Sequence, residues 1–185
     1  WLCQSCDMVT FHAPMVAEDI ARGLSEAGRA HLWPVLSGMR CDWSVNLEET
    51  ISPGQAEGEM IGGCLSLLVT TLGTPYEIDT RGKLLFIEEV GEAPYRVERM
   101  LIHLKMAGKL DQLAGLVFGD FAKCDGTGPR GIKEVIAELF HDAAYPVVTG
   151  MRAGHGSENL ALPFGVKMRL EGAGPSLALL ESPVL

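Results

Sequence analysis

Two short stretches of the chain hold side chains that could do chemistry together. The first, Lys83-Leu84-Leu85-Phe86-Ile87-Glu88-Glu89-Val90-Gly91-Glu92, runs from apolar residues straight into carboxylates. The second, Gly154-His155-Gly156-Ser157-Glu158-Asn159, sets one imidazole between two glycines. A carboxylate that orients a histidine, and a histidine that takes a proton from a nucleophile, form the acid–base part of a hydrolytic relay. Neither stretch supplies the nucleophile. Glu88 follows the apolar run directly, whereas Glu89 projects from the opposite face of an extended chain and is expected to point away, toward solvent. An acid that works on His155 must lie within about 5 Å of the imidazole, so the pairing of Glu88 with His155 is a geometric expectation. The competing reading leaves both glutamates as charges that solvate a strand end.

The elements around these stretches must bring them together. Leu84 to Ile87 has the pattern of a strand buried on both faces, with Gly91 to turn the chain and Pro94 to open a helix. Ligands of α/β folds sit beyond the C-terminal ends of such strands. Pro94 to Met106 is the clearest helix: Val97, Leu101 and Leu104 share one face, while Arg96, Glu98, Arg99 and Lys105 mostly line the other. Leu113 to Asp120 is a second buried strand closing in an acid. Asp120 either supports a site or turns the chain into the loop Lys123 to Pro129. Ile132 to Phe140 is an amphipathic helix, and the strand Pro146 to Thr149 leads to the His155 loop. Alternating strands and helices over 84–150 predict βαβ units. The fold class expected is α/β, a small, mostly parallel sheet flanked by helices. Leu160 to Pro163, Val166 to Leu170 and Ser176 to Leu180 are expected to form a short antiparallel edge.

The N-terminal part is less regular. Leu2 to Asp7 reads as the last turn of a helix and Met8 to His12 as a strand, with His12 either a ligand or a satisfied structural histidine. Ala17 to about Leu32 reads as one helix, with Glu18 and Asp19 in its first turn and Gly23 and Gly28 weakening it. Trp33 to Trp43, with Pro34 and Gly38, reads as a linker. Glu48 to Ile51 is a candidate strand before the turn Ser52-Pro53-Gly54. Gly62-Gly63 precede a helical run from Cys64 to Leu72, where they would either cradle an anion or allow close backbone packing.

Composition narrows the function classes. A net charge of -9, a pI near 5.0 and no cluster of Lys and Arg argue against nucleic acid or an anionic membrane as partner. The apolar runs fall far short of the roughly 20 residues a membrane helix needs. The N-terminus has no basic stretch followed by an apolar core, and because the chain starts at Trp1 its true start is expected upstream. The 185 residues, 47% hydrophobic, suffice for a proper core. Five cysteines, an odd number, favour a reducing compartment over a disulfide framework. Cys3-Gln4-Ser5-Cys6 has the C-x-x-C spacing of a redox or half-zinc motif. Cys41, Cys64 and Cys124 are scattered and do not complete it, so no metal and no cofactor are expected.

Several of these stretches together resemble the LD-carboxypeptidase family of serine peptidases. Leu85-Phe86-Ile87-Glu88-Glu89 with Tyr95-Arg96-Val97-Glu98-Arg99-Met100-Leu101 is similar to the family's central motif. Leu116 to Phe121 and Gly154 to Gly165 continue it in the family's order. Upstream, Val9 to Pro14, Gly58 to Gly63 and Leu72 to Pro75 also match, with Ala13 where glycine is usual and Cys64 where asparagine is expected. The resemblance implies a two-domain enzyme whose C-terminal domain carries the glutamate and histidine of a Ser-Glu-His triad. Glu88 and His155 stand at those two positions. The serine belongs in a Gly-Tyr-Ser-Asp context a dozen or more residues before the Val9-Thr10-Phe11 strand. It has no counterpart here, and Ser5 is too close to that strand. Residues 1–44 are accordingly expected to be a remnant of the nucleophile domain with a linker, and 45–185 the C-terminal domain.

The resemblance further implies a cytoplasmic enzyme of peptidoglycan recycling that removes a terminal D-amino acid from murein tetrapeptides. The scissile bond would join an L- to a D-residue. Such a substrate ends in a carboxylate, which an arginine would suit, and Arg152 is the candidate. Three alternatives stay open: a microcin-immunity-like peptidase of the same family, a non-catalytic binding or assembly module, and a homodimer as the assembled form. An aromatic content of 6% offers little for stacking on a nucleotide and favours the murein peptide.

Overall fold

The computed structural model describes residues 2–38, 43–126 and 130–184. Trp1, Cys41 and the stretch 127–129 of the loop expected over 123–129 lie outside the described residues. The strands are β1 (Thr10–His12), β2 (Ser44–Asn46), β3 (Glu49–Ser52), β4 (Gln55–Cys64), β5 (Leu84–Val90), β6 (Gly115–Ala122), β7 (Val147–Thr149), β8 (Leu162–Phe164), β9 (Lys167–Glu171) and β10 (Ser176–Leu179). The helices are α1 (Leu2–Cys6), α2 (Glu26–Ser37), α3 (Leu65–Thr70), α4 (Pro94–Met106) and α5 (Ile132–Phe140), with a π-helical turn over Val16–Ile20.

An eight-stranded sheet in the order β2-β10-β9-β4-β5-β6-β7-β3 organises the molecule. Its centre, β4-β5-β6-β7, is parallel, as the alternation of strands and helices predicts. Antiparallel strands close both margins: β9, β10 and β2 on one side and β3 on the other. The strand expected over Leu160 to Pro163 does not join that edge. As β8 it pairs with β1 in a separate two-stranded ribbon, Phe11 opposite Pro163.

Strand β5 sits inside the sheet with a core on each face, which is why it carries no polar residue before Glu88. Leu84 and Phe86 pack with Met60, Val117, Val148 and Trp43 on one face. Leu85 and Ile87 pack with Val97, Leu101, Leu104 and Phe118 on the other. Each such side chain contributes about 1.5–3 kcal/mol of burial. Helices α4 and α5 cover the second face with the residues their periodicity marks, Val97, Leu101 and Leu104 from one and Val135 and Ile136 from the other.

The N-terminal region departs from the sequence reading. Instead of one helix to Leu32 and a linker after it, the chain breaks near Gly23. It restarts at Ser25, whose Oγ accepts the Gly28 N–H at 3.0 Å, and runs as α2 through Pro34 to Ser37. A proline inside a helix costs about 3 kcal/mol or more. Leu32 and Val35, at 2% and 1% exposure, offset it by packing into the core. Trp43 is likewise buried at 3% exposure and donates from Nε1 to His31 Nε2 at 3.0 Å. That stretch therefore packs against the domain at both ends. No helix among the described residues is long and apolar enough to cross a membrane.

Candidate active site

Glu88 and His155 meet at the C-terminal end of the parallel strands. Glu88 Oε2 lies 2.8 Å from His155 Nδ1. The acid is fully buried, whereas the imidazole keeps 44% of its side-chain surface exposed. An ionised carboxylate only accepts, so this contact puts the ring proton on Nδ1 and leaves Nε2 as the ring's acceptor. Burial pushes the Glu88 carboxyl up; the hydrogen bond and charge of His155 pull it back, and Glu89 adds a further upward push. Glu88 Oε1 is buried and has no hydrogen-bond partner among the described residues.

The His155 loop fits only because of its glycines. Gly154 has φ +128, a left-handed conformation, and a Cβ there would stand 2.8 Å from Glu88 Oε2. Its N–H donates to Asn159 Oδ1 at 3.2 Å, tying the loop to its own far end.

Glu89 points away from His155, as strand alternation requires, but it does not reach solvent. It is 1% exposed and accepts the Ser66 backbone N–H at 2.7 Å in the first turn of α3. Cys64 Sγ and the Val90 N–H reach its other oxygen at 3.4 and 2.8 Å. The expectation of a solvated acid is thus corrected: the two core faces of β5 both continue past Ile87, so both glutamates are swallowed. The carboxylate at the helix start behind Gly62-Gly63 is the chain's own Glu89. Gly62 itself serves close packing, since a Cβ would lie 1.9 Å from Phe86 O.

Arg152 stands near the same loop, half exposed, and donates to Glu158 at 2.6 Å. Asp120, at the end of β6, is pushed up to about 6. Burial is the main cause, with Glu48 and Glu88 adding to it and the Gly156 N–H and Arg152 opposing it. His12 packs its ring 5.4 Å from Phe86. Burial and the neighbouring His155 push its pKa down, and its buried Nε2 has no partner among the described residues. Sequence reasoning missed the contribution of Glu48, an ordinary exposed acid in the chain order. It also missed the use of Ser66 to hold Glu89, for which no local pattern exists.

Comparison with known proteins identifies the family. Residues 57–170 match the LD-carboxypeptidase C-terminal domain. The chain is 40% identical over 188 residues to a probable murein peptide carboxypeptidase of Bacillus subtilis, covering 98% of this chain and 58% of that protein. It is 32% identical to the murein tetrapeptide carboxypeptidase of Pseudomonas aeruginosa, over 64% of this chain and 39% of that one. Among solved structures, muramoyltetrapeptide carboxypeptidase from Oxalobacter formigenes superposes with a TM-score of 0.84 at 30% identity, over 95% of this chain and 62% of the other. Microcin C7 self immunity protein MccF shares the fold at a TM-score of 0.83 and 19% identity, over 100% of this chain and 64% of the other. The chain thus spans less than two thirds of the length of these relatives. It belongs to the LD-carboxypeptidase family, and its residues 57–170 match the C-terminal domain of that family.

Proposed function

We propose that the protein carrying this chain is a serine-type LD-carboxypeptidase of peptidoglycan recycling, acting in the cytoplasm on murein-derived tetrapeptides and releasing the terminal D-amino acid. The observation that carries this reading is the Glu88–His155 pair, a buried acid 2.8 Å from a half-exposed imidazole. A serine outside these 185 residues supplies the nucleophile, and residues 1–44 are what this chain retains of the domain that bears it. The serine hydroxyl attacks the scissile carbonyl while His155 Nε2 takes its proton. The same nitrogen then protonates the leaving amine of the D-residue. Glu88 keeps the ring in the reactive tautomer and stabilises the imidazolium that forms. Arg152 receives the substrate's terminal carboxylate, which takes the place that Glu158 holds in the free protein.

The names of the relatives at 40% and 30% identity support a murein peptide as substrate. A peptidyl-nucleotide substrate rests on likeness of fold alone, at 19% identity. The test is release of D-alanine from a murein tetrapeptide. The full-length protein should release it, and the 185-residue chain alone should not. Absence of release by the full-length protein would sink the proposal, as would release by the short chain that disappears in Ser5→Ala. A non-catalytic module would give no release in either case.

A further inference from the structure

Residue 120 grips the His155 loop from both sides. Its backbone N–H donates to Ala153 O at 3.0 Å, and its carboxylate lies against Gly156, whose backbone N–H favours the charged form. The two contacts bracket His155 in the chain. An irregularity in strand pairing makes them possible: Ile87 pairs with Phe118, but Glu89 pairs with Phe121, so Gly119 and Asp120 together oppose the single residue Glu88. An extra residue of this kind bends the strand and re-aims its side chains. The loop lies directly against this bulge. A Cβ on Gly156 would stand 2.3 Å from Asp120 Oδ2, and one on Gly119 would stand 2.5 Å from Ala153 O. The same bulge thus sets the acid that pairs with His155 on one strand and the acid that holds its loop on the next.

We propose that Asp120 is a positioning residue for His155, clamping Ala153 and Gly156 so that the imidazole meets Glu88 in register. The clamp itself follows from the contacts above; its consequence for turnover rests on the triad reading. The charged groups around Asp120 are Glu48 before β3, Glu88 on β5, and Arg152 and His155 on the loop. Arg152 is in turn held by Glu158. Asp125, Lys133 and Glu134 line the cleft beside it. An ionised Asp120 attracts the Gly156 N–H strongly, and a protonated one weakly. With Asp120 pushed up to about 6, the clamp loosens as pH falls through that value.

Nuclear magnetic resonance of the full-length protein, with 15N in histidine and glycine, tests this between pH 4.5 and 8. In the wild type the Gly156 amide should inflect near pH 6, and the His155 Nδ1–H resonance should follow it. Asp120→Asn should abolish the inflection and shift the Nδ1–H resonance at every pH. Glu48 is exposed and glutamine keeps the shape of its side chain, so Glu48→Gln should fold normally and move the inflection to lower pH. A flat Gly156 titration in the wild type, or an inflection that Glu48→Gln leaves in place, overturns the proposal even if Asp120→Asn fails to fold. An unmoved His155 Nδ1–H resonance in a folded Asp120→Asn protein overturns it as well. In turnover, kcat for Asp120→Asn should fall roughly ten- to a hundredfold with KM unchanged. The resonances need no turnover. A protein that shows the shifts but no peptidase activity keeps the clamp and loses the hydrolase reading, and the reverse result does the opposite.

Discussion

The Glu89 carboxylate accepts the Ser66 backbone N–H at 2.7 Å, on the side of β5 opposite the His155 imidazole. Adjacent acids on one strand therefore hold different things, one a catalytic-type ring and the other a helix start. Substitution should separate them. Glu88→Gln keeps the size of the side chain but removes the charge that stabilises imidazolium, and should lower turnover by up to roughly 10⁴-fold, about 5 kcal/mol of barrier. Because a fully buried carboxylate with one unpartnered oxygen opposes folding, the melting temperature of this variant should be unchanged or raised. Glu89→Gln should do the reverse, costing about 1 kcal/mol of stability through the weakened hold on α3 and less than about tenfold in turnover. Kinetics and thermal unfolding of both variants check it; a crippled Glu89→Gln beside an active Glu88→Gln would exchange the roles.

Gly154→Ala tests the loop from its other side. The substitution forces an L-residue to φ +128 and drives its methyl to within 2.8 Å of Glu88 Oε2. Strain of this kind costs about 1–3 kcal/mol. The nearest atom belongs to the acid itself, so the Glu88–His155 hydrogen bond should lengthen. Turnover should fall by more than the loss of folded protein accounts for. Urea denaturation with activity at matched folded fraction measures the two separately.

Asp120 should leave a mark on the pH dependence of stability. Its carboxyl is raised in the folded protein from 3.8 to about 6, so between those values the folded state binds more protons than the unfolded state. Its contribution to stability is then fully present below about 3.8 and is lost as pH rises through about 6. The stability difference between wild type and Asp120→Asn should shift against the wild type over that window, by at most about 2 kcal/mol because the side chain keeps some solvent. Denaturation at pH 4, 5, 6 and 7 reads this directly, and a difference independent of pH would contradict it.

Arg152→Ala should act on binding. If the guanidinium leaves Glu158 for the substrate carboxylate, its loss should raise KM by about tenfold or more while kcat changes little. The pair it forms with Glu158 is half exposed and of small worth, so unfolding should shift by under about 1 kcal/mol. An unchanged KM would return Arg152 to the surface.

Much of the site was legible in the order of residues. Leu84 to Ile87 reads as a strand buried on both faces, because four apolar side chains in extended chain leave no polar face for water. Val97, Leu101 and Leu104 fix the covered face of α4 by spacing alone, and strand alternation puts Glu88 and Glu89 on opposite sides. Local pattern also marks His155 between two glycines. It cannot say what those glycines avoid, since Glu88 Oε2 and Asp120 Oδ2 come from strands far away in the chain. Only the tertiary structure decided that Glu89 is buried, because its partner Ser66 is set by the pairing of β4 with β5. Tertiary packing likewise carried α2 through Pro34, where burial of Leu32 and Val35 outweighs a lost N–H, and drew β8 to β1 rather than to the sheet edge. The bulge that aims Asp120 at Gly156 belongs to the same class. It is a mismatch between two strands, and a mismatch exists only once both strands are in place.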